Sequence, residues 1–461
     1  MTERCDVLVI GAGPAGLAAA CAAASHGAKV VMVDMQPRVG GQVWRQDLRK
    51  PAVAAAREAF AELSAQPAVR CLQQAHVVAA RPGYVLIEHA GTAMELHYRA
   101  LVLATGAREL LLPFPGWTLP GVTGAGALQA LVKQGWPIAG KRVLVAGSGP
   151  LLLAAAATLH AHGAQVLAIC EQAPAAQLRG FAMQLWRWPS KLVQAAGLRA
   201  RLAGVPYRSG TWVRSASGNQ RVTEVEIESA RGVERIACDH LAVGYGLVAN
   251  TELAQQLGCE LTMQDRHPHV RVDTRLMTSV ADVYAAGEAC GIGGVDTARI
   301  EGAMAGCFAA GADKEAEALR VRRDYARAFA ELLPRHFALR EQIHLAATPQ
   351  TVVCRCEDVN LSQLHGHRAW RAAKLATRCG MGSCQGRICG AALAELRVFD
   401  NALAAANAAN PNPNSNLNPN PLPPTPATTA HGARPPVFPT RLASLAGSFS
   451  SEGESAAQSK P

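Results

Sequence analysis

Residues 5–34 read CDVLVIGAGPAGLAAACAAASHGAKVVMVD: a buried strand, a glycine turn, a helix of small residues and a second strand. In the turn GAGPAG, Gly11 permits the tight bend, Gly13 lets a pyrophosphate come close to backbone, and Gly16 lets the helix pack against the strand. The phosphates of such a ligand rest on the helix N-terminus. An acid is then needed about 20 residues further on, at the end of the second strand, to accept ribose hydroxyls. Asp34 stands there. Glycines can serve a turn alone, but strand, helix and terminal acid agree here, so the reading is a dinucleotide-binding unit of the Rossmann type.

The same pattern recurs at residues 141–171, KRVLVAGSGPLLLAAAATLHAHGAQVLAICE, which makes it an internal duplication. Between the copies lies LVLATGARELLLPFPG (101–116), a strand entering a turn at Gly106. After the second copy come short strands such as RVTEVEIES, then VADVYAAGEA (280–289) and another small-residue helix. This order predicts a first dinucleotide domain in two parts, residues 1–120 and 246–312, interrupted by a second dinucleotide-binding-like domain at 121–245. A helical linker at 313–349, a cysteine-bearing module at 350–400 and an Asn/Pro-rich tail at 401–461 complete the expectation. The tail, with NAANPNPNSNLNPNPLPPTP, is expected to be disordered because it can neither form a ladder nor bury a core.

VADVYAAGEA selects FAD over NAD for the first site. It looks like the second flavin motif of two-dinucleotide-domain flavoproteins, in which a strand carries an acid to the ribityl chain. Gly287 and Glu288 take those places, Glu288 where Asp is usual. Gly40, Gly41 and Gln42 would lie along the cofactor, and Thr105 with Gly106 would close over it. The second site is weaker. Gly147 and Gly149 are kept, but Leu152 replaces the third glycine and should hold the helix away from the strand. Glu171 suits ribose hydroxyls and disfavours a 2′-phosphate, so an adenine nucleotide bound weakly, one bound structurally and an empty relic all stay open.

Five cysteines fall within 36 positions near the end of the folded part: Cys354 and Cys356 in CRCED, then Cys379, Cys384 and Cys389 in TRCGMGSCQGRICG. Thiolates this dense need a metal to neutralise them. Structural zinc favours paired Cys-x-x-Cys knuckles, whereas Cys-x-Cys crowds its sulfurs. Four ligands suffice for a [2Fe-2S] cluster, leaving one spare. Cys384 and Cys389 are the preferred second pair, since the stretch after Gly380 and Gly382 reads as a loop entering the helix of AALAELRVF, and Cys379 is the reserve. Arg355, Arg378 and Arg387 are expected to offset cluster charge. No Cys-x-x-Cys occurs anywhere in the chain, and the region GGQVWRQDL that would lie beside a flavin has no cysteine, so dithiol chemistry is not expected.

At 461 residues and 49% hydrophobic content the chain can bury two or three cores. Its thirteen cysteines are odd in number and follow no secreted-scaffold spacing, and the reading expects no secretory leader, which favours a reducing, cytoplasmic setting. The net charge of +10 is spread along the chain. Its densest run, LRVRRDYARAFAELLPRHFALR, has apolar residues at helical spacing, as on a solvated helix face, so nucleic acid is not an expected partner. The apolar stretch from Leu151 to Ile169 holds His160 and His162 and is not read as a membrane span. Trp186 and Trp188 in LWRWPS are candidates to face a partner, and their spacing equally suits a half-buried strand or helix turn.

Taken together, GAGPAG with GGQ, LATGARE, GSGPLLL, VYAAGE and the pair CRCED with TRCGMGSCQGRICG give residues 1 to about 400 a specific resemblance. The chain resembles the alpha (A) subunit of heteromeric FAD-dependent dehydrogenases, the family of opine oxidases, D-hydroxyproline dehydrogenase and hydrogen cyanide synthase. Its cysteine module resembles a bacterioferritin-associated ferredoxin. The resemblance implies an α/β two-dinucleotide-domain flavoprotein fold, FAD held through Gly11, Gly13, Gly16, Asp34 and Glu288, and a [2Fe-2S] cluster on Cys354, Cys356, Cys384 and Cys389. It also implies an amino-acid-oxidase-like beta subunit that oxidises a C–N bond, allows a small gamma subunit, and makes this chain a relay. Two alternatives stay open: a stand-alone NAD(P)H-dependent flavoprotein reductase, and a non-enzymatic module that uses a cluster for redox-sensitive docking.

Overall fold

The computed structural model describes residues 2–367, 369–400 and 440, and within it the chain forms two compact units. Among the described residues, the first joins the chain up to Arg108 to Ala249–Ala330, and the second joins Glu109–Val248 to residues 331–400. The expectation of disorder for 401–461 falls, Thr440 apart, outside the described residues.

The first unit is organised on a seven-stranded sheet. Strand β1 (Thr2–Ile10) leads through the glycine turn into helix α1 (Pro14–Ser25) and then β2 (Val30–Val33). β2 lies parallel to β1, with Val7 opposite Val30 and Ile10 opposite Val33. β3 (Val69–Leu72) continues the parallel set beyond β2. On the other side of β1 lies β6 (Thr92–Leu103), parallel to β1; β5 (Tyr84–His89) runs antiparallel to β6, and β4 (His76–Arg81) antiparallel to β5 at the sheet edge. The strand Val283–Ala285 returns from far along the chain to pair with β6. The sheet centre is apolar on both faces, as expected of a parallel sheet covered on each side: Val7, Leu8, Val9, Val30, Val31 and Met32 are fully buried.

One sheet face is covered by α1 and the helix Gly294–Ala310. These helices meet through glycines. A Cβ on Gly302 would strike the Ala15 carbonyl, and one on Gly306 the Ala19 carbonyl, so both positions are empty because the helices lie backbone to backbone.

The second unit repeats the pattern with a five-stranded parallel sheet, ordered Tyr207–Ser209, Gln165–Glu171, Arg142–Gly147, His240–Gly244, Val122–Gly124. An antiparallel three-stranded sheet, Thr211–Ser217, Glu224–Ser229 and Gly232–Ala237, is added to it. The cysteine module belongs to this unit. It has a small core of its own around Trp370, Leu364 and Phe399, and Ala392 joins the larger core that holds Trp117, Trp212 and Ile343. The stretch read as one helical linker forms several short helices, among them Arg320–Ala330 in the first unit and Leu332–Phe337 in the second. Leu151–Ile169, read as no membrane span, is helix Leu151–Ala161 followed by part of a strand. No helix among the described residues is long and apolar enough to cross a membrane.

Candidate functional site

The three glycines of the first turn do different work. Gly11 has φ +107°, and a Cβ on it would enter the Ala104 carbonyl oxygen; a Cβ on Gly16 would enter the carbonyl of Gly11. Both are needed by the fold itself. Gly13 has φ −76°, which any residue tolerates, and the nearest atom a Cβ there would meet is Gly41 Cα at 3.9 Å. Its Cβ direction is therefore left open for something that the chain does not supply. The Gly13 N–H donates to no group among the described residues.

Asp34 closes β2 beside this opening. The Ala12 N–H donates to its Oδ2 at 2.6 Å and the Gln36 N–H to its Oδ1 at 2.7 Å, so the carboxylate is aimed but stays half-buried and within reach of a ligand. Gly40 and Gly41 lie against the turn: the Gly40 N–H donates to Ala12 O at 2.8 Å, and a Cβ on Gly41 would come within 2.8 Å of Gly13 Cα. Gln42 is exposed, its side chain accepting from Arg45 at 2.9 Å. Thr105 and Asn250 bond reciprocally, Thr105 Oγ1 donating to Asn250 O at 2.7 Å and Asn250 Nδ2 to Thr105 O at 2.9 Å. Gly106 follows with φ +68°, and a Cβ there would meet nothing. Gly287, φ +71°, abuts Ala15 and Ala298.

Glu288 sits at the start of the helix Gly294–Ala310, where its two oxygens accept from the N–H groups of Gly293 (3.2 Å) and Gly294 (2.8 Å). Burial raises its pKa and these bonds partly restrain the rise. Glu301, which the sequence did not single out, is fully buried beneath it. It accepts from the Gly287 N–H at 3.1 Å and from Arg323 and Arg327 at 2.9 and 2.7 Å, and Arg327 also donates to Gly291 O at 3.3 Å. The acid motif is thus tied to the basic helix Arg320–Ala330. Cys290 and Cys307 pack in the cores, as expected of thiols in small-residue positions.

The second turn differs. Its helix starts at Leu151, and Leu152 is accommodated against Gly244. Here the acid reaches one residue further into the turn: the Gly149 N–H donates to Glu171 Oε2 at 2.8 Å, and the Ala173 N–H to Oε1 at 2.9 Å. Glu171 is fully buried, unlike Asp34, and burial pushes its pKa up to about 7.

In the cysteine module, strand Val352–Cys354 pairs with Val359–Asn360 and places Cys354 in the small core. Helix Trp370–Thr377 ends on Arg378 in the left-handed region, φ +65°, which turns the chain back so that Cys379 is buried. The helix Cys389–Glu395 begins on Cys389, close to where the sequence placed it. The sulfurs of Cys354, Cys379 and Cys389 lie within 4.8 Å of one another. The reserve cysteine, not Cys384, is therefore in the tightest group. Cys384 is half-buried and bonds to both Cys389 and Cys356, and Cys356 is exposed. The Cys384 thiol is pushed up to about 12, first by its bond with Cys389 and then by burial, as expected of thiols sharing protons until a cation displaces them. The Gly380 N–H points at Cys354 Sγ, 3.5 Å away. Of the three arginines expected to offset charge, Arg378 is paired with Glu357 at 2.8 Å, Arg355 stacks on Trp117 at 5.3 Å, and Arg387 donates to Cys384 O at 3.3 Å. A donor set of sulfur alone, converging from two segments, fits an iron-sulfur centre. Of the two tryptophans read as partner-facing, Trp186 is exposed and Trp188 is buried.

A flavin-type dinucleotide turn with an accessible acid, followed in the same chain by a second glycine turn whose acid is buried, defines a two-dinucleotide-domain flavoprotein. The chain belongs to the pyridine nucleotide-disulphide oxidoreductase family, whose model matches residues 5–305. It is 32% identical to the A-subunit of opine oxidase from Agrobacterium tumefaciens (strain Ach5) over 86% of either chain, and 33% identical to hydrogen cyanide synthase subunit HcnB of Pseudomonas aeruginosa over 83% of this chain and 90% of that one. The chain therefore belongs with the A-subunit family that its motifs resemble, and it is a flavoprotein oxidoreductase subunit. In fold it is similar to L-proline dehydrogenase from P. horikoshii, with a TM-score of 0.63, 18% identity, and coverage of 96% of this chain and 80% of that one.

Proposed function

We propose that this chain is the electron-relay subunit of a heteromeric CH–NH dehydrogenase. An amino-acid-oxidase-like partner would take two electrons and two protons from a secondary amine or amino-acid derivative, leaving an imine that hydrolyses. The observation that carries the reading is that one chain joins a dinucleotide turn open at Gly13 to a converging group of cysteine sulfurs, without any Cys-x-x-Cys dithiol. FAD would supply two-electron acceptance with one-electron release, and a [2Fe-2S] cluster would supply one-electron acceptance on the way to a quinone or other respiratory carrier.

The chain's own residues prepare for this. Gly13 and the N-terminus of α1 receive the pyrophosphate, Asp34 the adenosine ribose, and Gly41, Thr105, Gly106, Gly287 and Glu288 the remainder of the cofactor. For the cluster, Cys354, Cys356, Cys384 and Cys389 remain the assigned ligands. Cys384 bonds to both Cys389 and Cys356, which leads from the buried sulfurs to the exposed one, whereas Cys379 meets only the buried end. A cytoplasmic site is part of the proposal, since such thiols need a reducing setting. The stand-alone NAD(P)H reductase is disfavoured by the burial of Glu171.

The test is the purified chain with and without its native companion. Alone it should show little amine dehydrogenase activity, and with the companion it should reduce an artificial one-electron acceptor. Full amine oxidation by the chain alone would end the relay reading.

A further inference from the structure

Every donor that the second glycine turn could offer a pyrophosphate through its two central residues is already spent inside the chain. The Ser148 N–H donates to Gly244 O at 2.7 Å, and the Gly149 N–H to Glu171. In the first turn the corresponding Gly13 N–H has no such use. The segment after helix Leu332–Phe337 then runs along the same turn. Ser148 Oγ donates to Phe337 O at 2.8 Å, Gln172 Nε2 donates to Ala338 O at 3.0 Å, and the Arg340 N–H donates back to Gln172 Oε1 at 3.1 Å. The strap is pinned at both ends: the Phe337 ring meets Phe181 edge-on at 5.0 Å, and the Arg340 guanidinium covers Trp212 at 4.8 Å. With the strap in place, Glu171 and Gln172 are both fully buried, so the acid that would take a ribose is sealed from solvent.

We infer that residues 337–340 form a strap over the second dinucleotide fold, and that strap and adenine dinucleotide exclude one another there. The acid that would be exposed is Glu171, so the dinucleotide admitted on opening is one with free ribose hydroxyls, NAD(H) and not its 2′-phosphorylated form. This goes beyond the relay reading and does not depend on it, since a chain that only relays electrons needs no nicotinamide nucleotide.

The experiment uses the full chain as purified with its flavin. NAD+ and ADP-ribose are titrated by calorimetry into the wild type and into a Phe337→Gly/Gln172→Ala double variant, while amide hydrogen exchange is followed over residues 335–345. The variant loses the ring contact and two of the three hydrogen bonds, so the strap should exchange faster and NAD+ should bind at least about tenfold more tightly, the closed fraction no longer reducing the apparent affinity. Flavin content, governed by the first turn, should not change. Three results would each overturn the inference: tight NAD+ binding by the wild type with the strap still protected; a released strap with no gain in affinity; or a strap that stays protected in the variant, since these contacts are claimed to hold it.

Discussion

Gly13→Ala separates a glycine needed for a ligand from one needed for the fold. The added methyl would meet only Gly41 Cα at 3.9 Å, an ordinary contact, and φ of −76° suits alanine. Fold stability should therefore stay within about 0.5 kcal/mol of wild type, or rise slightly through the stiffer unfolded chain. The bound cofactor should suffer instead, because its pyrophosphate approaches through the space that the methyl takes. An overpacking strain of about 1–3 kcal/mol corresponds to about a 5- to 150-fold loss of FAD affinity. Gly302→Ala is the counterpart. Its methyl would press on the Ala15 carbonyl, with the carbonyl carbon at 2.7 Å, so α1 and its partner helix must separate. The expected cost is about 1–3 kcal/mol of stability or more, with cofactor lost only as a consequence. Urea unfolding of flavin-stripped protein, combined with FAD titration by fluorescence quenching, reads both quantities. If apo Gly13→Ala were as destabilised as apo Gly302→Ala, or bound FAD with wild-type affinity, the division of roles among these glycines would be wrong.

Cys384→Ser should abolish the reduced-state paramagnetic signal while Cys379→Ser retains it, with FAD bound in both; the reverse pattern would move the ligand assignment to the buried trio. Glu301→Ala strands Arg323 and Arg327 without their buried partner and should cost about 3–5 kcal/mol in denaturant unfolding. The Glu171 carboxyl, at about 7 in the folded chain against 4.5 for a free one, holds its proton through a window where the unfolded chain has released it. Its contribution to stability therefore falls as pH rises from about 4.5 to about 7 and is level above that, by at most about 3 kcal/mol. Urea unfolding at pH 5 and pH 8 should show a smaller decline for Glu171→Gln than for wild type; equal declines would refute the assignment.

Both dinucleotide units were legible because each announces itself within about thirty residues, through apolar strands, a glycine turn and an acid at fixed spacing. The spacing also assigns Gly11 to the bend, Gly13 to the ligand and Gly16 to helix packing, and the folded backbone supplies the reason: a Cβ on Gly11 would enter the Ala104 carbonyl and one on Gly16 the turn's own carbonyl, whereas one on Gly13 would meet only Gly41 at ordinary contact distance. Gly302 and Gly306 carry a signal of their own for close helix packing, two glycines four apart on one helix. Glu301 gave none, since its partners lie 22 and 26 residues away on another helix. The strap across Ser148 was equally hidden, because Phe337 is 189 positions distant and its contact is made by a carbonyl that every residue has. Among the five cysteines, spacing gave the two groups, but burial of Cys379 depends on the left-handed turn at Arg378, which no residue preference marks.

The central claim is that one chain holds both a flavin and a two-iron sulfur centre. Anaerobically purified protein should contain about two irons and two acid-labile sulfides per chain beside one FAD. Zinc in place of iron, or flavin with neither iron nor sulfide, would contradict it.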